Sequence, residues 1–116
     1  MRTVAIISIL LLGLASTEAE GQLLPTKLKI TVIDGLGNFV EGASVAIYEN
    51  EKDYRASENP VATATTDKKG RVVFKDLKTI PYYVEAKKGK KNNNGEGVLT
   101  GSLSEGKINK VNTVIE

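Results

Sequence analysis

The stretch LKITVIDGLGNFVEGASV, Leu28 to Val45, decides the fold. Leu28, Ile30 and Val32 alternate with Lys29, Thr31 and Ile33, the period of two that marks a half-buried strand. Asp34-Gly-Leu-Gly-Asn38 then breaks the pattern. Gly37 and Asn38 tolerate positive φ, and Asp34 can cap its own backbone. The small pair Gly42-Ala43 permits close backbone approach before a second strand, in which Val45 and Ile47 are predicted to face inward and Ser44, Ala46 and Tyr48 outward. A second segment, TTDKKGRVVF from Thr65 to Phe74, repeats this plan. Asp67 to Gly70 reads as a type I turn of a short hairpin, with Val72 and Phe74 inward and Arg71 and Val73 outward.

The rest of the chain reads outward from these two segments. Residues 50–60, NEKDYRASENP, are polar, end in Asn-Pro and read as an irregular, mobile loop. Val61 to Thr66 is rich in β-branched residues. Leu77 is expected to plug one end of the domain. Tyr82, Val84 and Ala86 form another inward set, with Tyr83, Glu85 and Lys87 toward water. Lys87 to Gly97, KKGKKNNNGEG, reads as a charged turn, followed by two strands, Val98 to Leu103 and Lys107 to Ile115. Seven short strands and no helix across residues 27–115 predict an all-β, seven-stranded two-sheet sandwich, with an open barrel as the competing arrangement.

Met1-Arg2-Thr3 followed by the apolar run Val4 to Leu14 and small or polar residues to Gly21 reads as a secretory signal peptide. The run is far short of the roughly 20 residues of a membrane span, so no span is expected after cleavage. Cleavage after Ala19 or after Gly21 both fit; the second leaves residues 22–26 as a linker and 27–116 as the domain. Loss of residues 1–21 takes Lys plus Arg from 16 to 15 and Asp plus Glu from 14 to 12. A small basic excess favours solubility and identifies no partner. With no basic helix and an export signal, nucleic acid is not an expected partner. The chain has no cysteine, so the fold must hold by packing and strand pairing, and no lipid can be carried on a cysteine. The expected location is secreted or periplasmic, in soluble form.

Asp34, Gly37, Val40, Gly42, Ala43 and Val45, followed by Thr66, Asp67, Gly70, Val72, Phe74, Leu77 and Tyr82, carry a resemblance over roughly residues 27–86. In order and spacing the chain resembles the carboxypeptidase regulatory-like domain of the transthyretin-like (prealbumin-like) sandwiches. That resemblance implies a seven-stranded Greek key, found as an accessory module beside peptidases, receptors, adhesins and carbohydrate-handling proteins. It implies little activity of the domain's own.

Chemistry is bounded by what is missing. Without histidine or cysteine, the ordinary Ser/His/Asp and Cys/His nucleophilic sites cannot form, and zinc loses its favoured ligands. No enzyme and no cofactor is expected. The turn oxygens of Asp34, Asn38, Glu41, Asp67 and Asn92 to Asn94 are too few per turn for calcium. Related sandwiches of bacterial surface proteins form Lys–Asn isopeptide bonds. Lys27 or Lys29, Asn109 or Asn112, and Glu85 supply the types, although the bond needs an inward, desolvated lysine and the alternation puts Lys29 and Glu85 on the wet face.

Two surface groups remain. Tyr48, Tyr54 and Tyr83 can form an aromatic patch for a sugar or a peptide. Lys88, Lys90 and Lys91, with Lys87, can meet an anionic glycan or membrane surface, though a solvated tip that discourages edge pairing accounts for them more simply. The expectation is a non-catalytic binding module contacting a protein or glycan through loops or a sheet edge. Its alternative is a structural protein, a homo-oligomer built through strand edges.

Overall fold

The computed structural model describes residues 24–95 and 97–116. The predicted signal peptide lies outside them. In chain order the elements are β1 (Lys27–Asp34), β2 (Ser44–Tyr48), α1 (Glu51–Ala56), β3 (Ala62–Thr65), β4 (Arg71–Phe74), β5 (Tyr83–Lys88), β6 (Lys91–Asn92) and β7 (Ile108–Ile115). They form two sheets, a three-stranded one ordered β4-β1-β7 and a four-stranded one ordered β3-β2-β5-β6. The outcome is a seven-stranded sandwich with one short helix.

The alternation read at Leu28, Ile30 and Val32 holds: all three are fully buried, and their neighbours Lys29 and Thr31 are half-exposed. Val72, Phe74 and Ile115 join them from the same sheet, and Val45, Ile47, Tyr82, Val84 and Ala86 meet them from the other. Leu77 packs against this cluster from its rim. Burying each large aliphatic side chain contributes on the order of 2 kcal/mol, which makes this single core the main source of stability. Tyr82 brings a polar tip inside, and its hydroxyl accepts from the Lys78 amide at 2.9 Å.

β1 sits at the centre of its sheet. It pairs antiparallel with β4 (Leu28↔Phe74 to Thr31↔Arg71) and parallel with β7 along its whole length (Lys27↔Ile108 to Asp34↔Ile115). In the other sheet every pairing is antiparallel. At one side the sheets are joined, because Asn92 at the end of β6 and Glu116 after β7 exchange backbone hydrogen bonds of 3.3 and 3.0 Å.

The two turns behave locally as read, yet neither closes a sheet hairpin. Asp34 Oδ1 accepts from the Leu36 and Asn38 amides, both at 2.9 Å, and Gly37 adopts φ 87°. Asp67 Oδ1 accepts from Lys69 and Arg71 in the same way. After each turn the chain passes to the opposite sheet, so β3 and β4, predicted to pair, belong to different layers. The reason lies at Ala43 and Thr66. Ala43 is fully buried and its amide donates to Thr66 Oγ1 at 2.8 Å, while Thr66 Oγ1 donates to Val40 O. This buried clamp fastens the start of β2 to the end of β3.

Other expectations are corrected. Residues 50–60 are not an irregular loop: Asn50 caps α1, accepting from the Asp53 amide at 2.8 Å, and Ser57 ends it in the left-handed region. A six-residue helix with no buried residue shows no apolar periodicity, so the expectation of no helix fails here without disturbing the core. Ala46 and Tyr48 do point away from the core, as read, but α1 and its flanks cover them; Tyr48 is 2% exposed. Val98 to Leu103 is no regular strand. It is an extended strap beside β5, bonded through Val84 N to Val98 O and Thr100 N to Tyr82 O. Within the supposed turn of residues 87–97, Asn93 is buried and completes the ladder with its side chain, accepting from the Ala86 amide and donating to Val84 O.

Candidate functional site

The outer face of the four-stranded sheet presents Tyr48 from β2 and Tyr83 and Glu85 from β5, because even positions of β2 and odd positions of β5 point away from the core. Tyr48 and Tyr83 are paired across the strands. α1 lies over this face and inserts Tyr54. The three rings meet: Tyr54 stacks on Tyr83 at 5.4 Å between centroids and 25° between planes, and meets Tyr48 edge-on at 6.0 Å and 71°. Offset and edge-to-face geometries are the favoured ones for aromatic pairs, worth about 1 kcal/mol each beyond burial.

Beneath the rings, Glu85 is a shared anchor. Tyr48 Oη donates to Oε1 at 2.7 Å and Ser57 Oγ donates to Oε2 at 2.9 Å. The Glu85 side chain is 17% exposed, not in open water as the alternation implied, because α1 and Ser57 close over it. Burial first, and then the hydrogen bond to Glu85, pushes the Tyr48 hydroxyl up to about 12. Burial raises Tyr54 as well. Beside the stack a cavity of about 520 Å³ is walled by Tyr54, Tyr83, Arg55, Ser57, Asn94 and Val98. Glu85 also lines the cleft; Tyr48 lies buried behind it, and Tyr54 and Tyr83 are its accessible aromatic walls.

Lys88, Lys90 and Lys91 lie at the opposite end of the same sheet, roughly 15 Å away along β2. They border a separate cleft of about 520 Å³ with Phe39, Asp34 and Glu41. Lys88 Nζ is already committed to Glu41 O, Lys90 lies in the β5–β6 turn and Lys91 opens β6. The structure thus gathers the tyrosines into one site and leaves the lysines in another. Sequence reading missed Glu85 and Ser57 as members of the tyrosine site. A same-face pairing of Tyr48 with Glu85 follows from period two, but Ser57 could not be placed without α1.

The isopeptide set is not assembled. Glu85 stands on the outer face of the four-stranded sheet, whereas Lys27, Lys29, Asn109 and Asn112 belong to the three-stranded one. The Asn109 amide is bound instead to Lys27 O at 3.0 Å and Ser104 O at 3.1 Å. Asp34 and Asp67 are held below the ordinary carboxylate range, chiefly by backbone hydrogen bonds from Asn38 and Arg71 respectively, which marks them as turn residues. Among the described residues no three acidic side chains converge on a metal-sized site. No helix among them is long and apolar enough to cross a membrane.

No protein-family model and no curated protein matches this chain. Solved structures share its fold. A streptococcal ancillary pilin superposes with a TM-score of 0.56 and 18% identity, over 90% of this chain and 35% of the pilin. The Bacillus anthracis TIE protein gives a TM-score of 0.55 and 20% identity, over 93% of this chain and 19% of that one. BcpA, the major pilin subunit of Bacillus cereus, gives 0.54 and 15% over 80% of this chain and 30% of its own. The chain thus spans between 19% and 35% of the length of these proteins, and at such identities the likeness shows a common β-sandwich fold.

Proposed function

We propose that this chain is an exported, non-catalytic accessory module of the carboxypeptidase regulatory-like type, with the Greek-key connectivity of the transthyretin-like sandwiches, that holds a protein or glycan partner in the tyrosine cleft. The observation that carries this reading is the stack of Tyr54 on Tyr83, backed by the hydrogen bonds that Tyr48 and Ser57 make to Glu85. Such a surface offers flat apolar area at low entropic cost, with Arg55, Ser57 and Asn94 available as hydrogen-bonding groups around it. Both Glu85 oxygens are occupied by hydroxyls, so the carboxylate serves as a support and not as a free base. The apolar run at Val4 to Leu14 and the occurrence of the fold in pilin subunits support a place outside the cytoplasm.

The test is a panel of glycans and peptides screened against the purified chain, followed by NMR titration of the best binder. Amide shifts are expected at Tyr54, Ser57, Tyr83 and Asn94, and Tyr54→Ala and Tyr83→Ala should each weaken binding by about tenfold or more. Shifts confined to the Lys88–Lys91 end, with both alanine variants binding normally, would overturn the reading.

A further inference from the structure

The four-stranded sheet has one finished side and one unfinished side. Along β5 the edge is taken up by β6 and then by the strap at residues 98–100. β3 forms the other edge, paired with β2 alone. Thr66 N donates to Ala43 O at 2.9 Å, so the Thr66–Ala43 pair is a hydrogen-bonded one. Alternation along an antiparallel ladder then turns Ala64 and Ala62 toward β2 and directs the N–H and C=O groups of Thr63 and Thr65 outward. Both threonines are exposed, and Val61 beside them is 43% exposed.

Natural edge strands are commonly protected by charge, proline or a cover. The neighbouring edge at β4 follows that rule, with Lys68, Lys69 and Arg71 before and within it and Lys75 after it. β3 does not. From Asn59 to Thr66, NPVATATT, there is no charge, and the single proline stands before the strand.

We propose that β3 is a self-pairing edge, on which a second copy of this chain adds antiparallel about a twofold axis at Ala64. Thr63 then faces Thr65 of the second copy, and the two outward-directed pairs exchange four backbone hydrogen bonds. The two four-stranded sheets become one of eight. The geometry favours a copy of the chain over other occupants for three reasons. The edge is uncharged, so two identical edges meet without repulsion. Its side chains are alanine and threonine, small enough to oppose themselves. Strand-adding peptides gain selectivity from side-chain pockets beside the edge, and none of the clefts described here borders β3. The contact is isologous and closes at two copies. This proposal is independent of the tyrosine cleft and makes the structural, self-associating expectation specific.

Sedimentation velocity from micromolar to millimolar concentration, read together with amide hydrogen exchange, tests it. The expected result is a monomer–dimer equilibrium in which the Thr63 and Thr65 amides become protected as concentration rises. Thr63→Lys and Thr65→Lys should each raise the dissociation constant by about tenfold or more, since the lysine and its symmetry mate then sit as diagonal like-charged neighbours across the axis. A chain that stays monomeric to millimolar concentration, or a dimer that both variants leave intact, overturns the proposal. So does protection of the two amides only after addition of another protein. The exchange measurement uses the unaltered chain, so it decides the question even if a variant misfolds.

Discussion

Gly70 answers to two constraints, a φ of 72° and backbone atoms standing where a side chain would begin. A Cβ there would lie 2.6 Å from Val32 O and 3.1 Å from Val40 N. Gly37 shares only the first, with φ 87° and open space around it. Gly70→Ala is therefore expected to cost about 2–4 kcal/mol and Gly37→Ala about 1 kcal/mol, a difference that urea denaturation resolves. Tyr48 makes a second prediction. In the unfolded chain its hydroxyl ionises near pH 10; in the folded chain that happens near 12. Between those values the unfolded state holds fewer protons, so stability falls as pH rises, by at most about 1.4 kcal/mol per pH unit from this group. Below the unfolded value the group contributes no slope. Unfolding midpoints measured above pH 10 should therefore decline less steeply in Tyr48→Phe than in the unaltered chain. Both turn glycines were legible as glycines, because Gly after Asp-x-x announces positive φ. That Gly70 touches β1 was not legible, since the neighbour is some forty residues away in sequence and known only from the fold.

Among elements, α1 shows where sequence reading ran out. Six residues fill barely more than one and a half turns, too few for a 3.6-residue pattern. The remaining signals were an asparagine cap, Glu51 and Asp53 in the first turn and Arg55 in the last, all compatible with a polar loop. Asn50→Ala removes the cap and should destabilise α1 by about 1 kcal/mol, exposing its amides to roughly fivefold faster hydrogen exchange. The same change should loosen the Tyr54–Tyr83 stack while β1 and β7 keep their protection. Strands were legible where one face is dry, as in β1, β4 and β5, because period two survives there. They were only partly legible in two situations, where β7 was read as a strand but not in its register and Val98 to Leu103 was read as a strand that does not form. β7 carries apolar residues on both faces, and the strap at 98–100 borrows β5 for its bonds without forming a strand of its own. The tyrosine site was readable as three rings, and unreadable as a cleft until the helix brought Tyr54 across.

For the whole molecule, the core proposition read from the sequence holds: Leu28, Val45, Val72, Phe74 and Tyr82 are each no more than 5% exposed. What the sequence could not supply was the partner of the first strand. β1 and β7 lie side by side and parallel, from Lys27↔Ile108 to Asp34↔Ile115. The backbone consequently comes into the sandwich at one pole and leaves it at the other. Tension applied through the two ends runs along both strands and loads every rung between them in shear, so the rungs must fail together instead of peeling one at a time. Single-molecule stretching should show one high-force rupture when the chain is held near residues 24 and 116. Attachment at residues 34 and 116, both at the same pole, should unzip it at markedly lower force. A domain wired in this way is suited to standing in line under a pull.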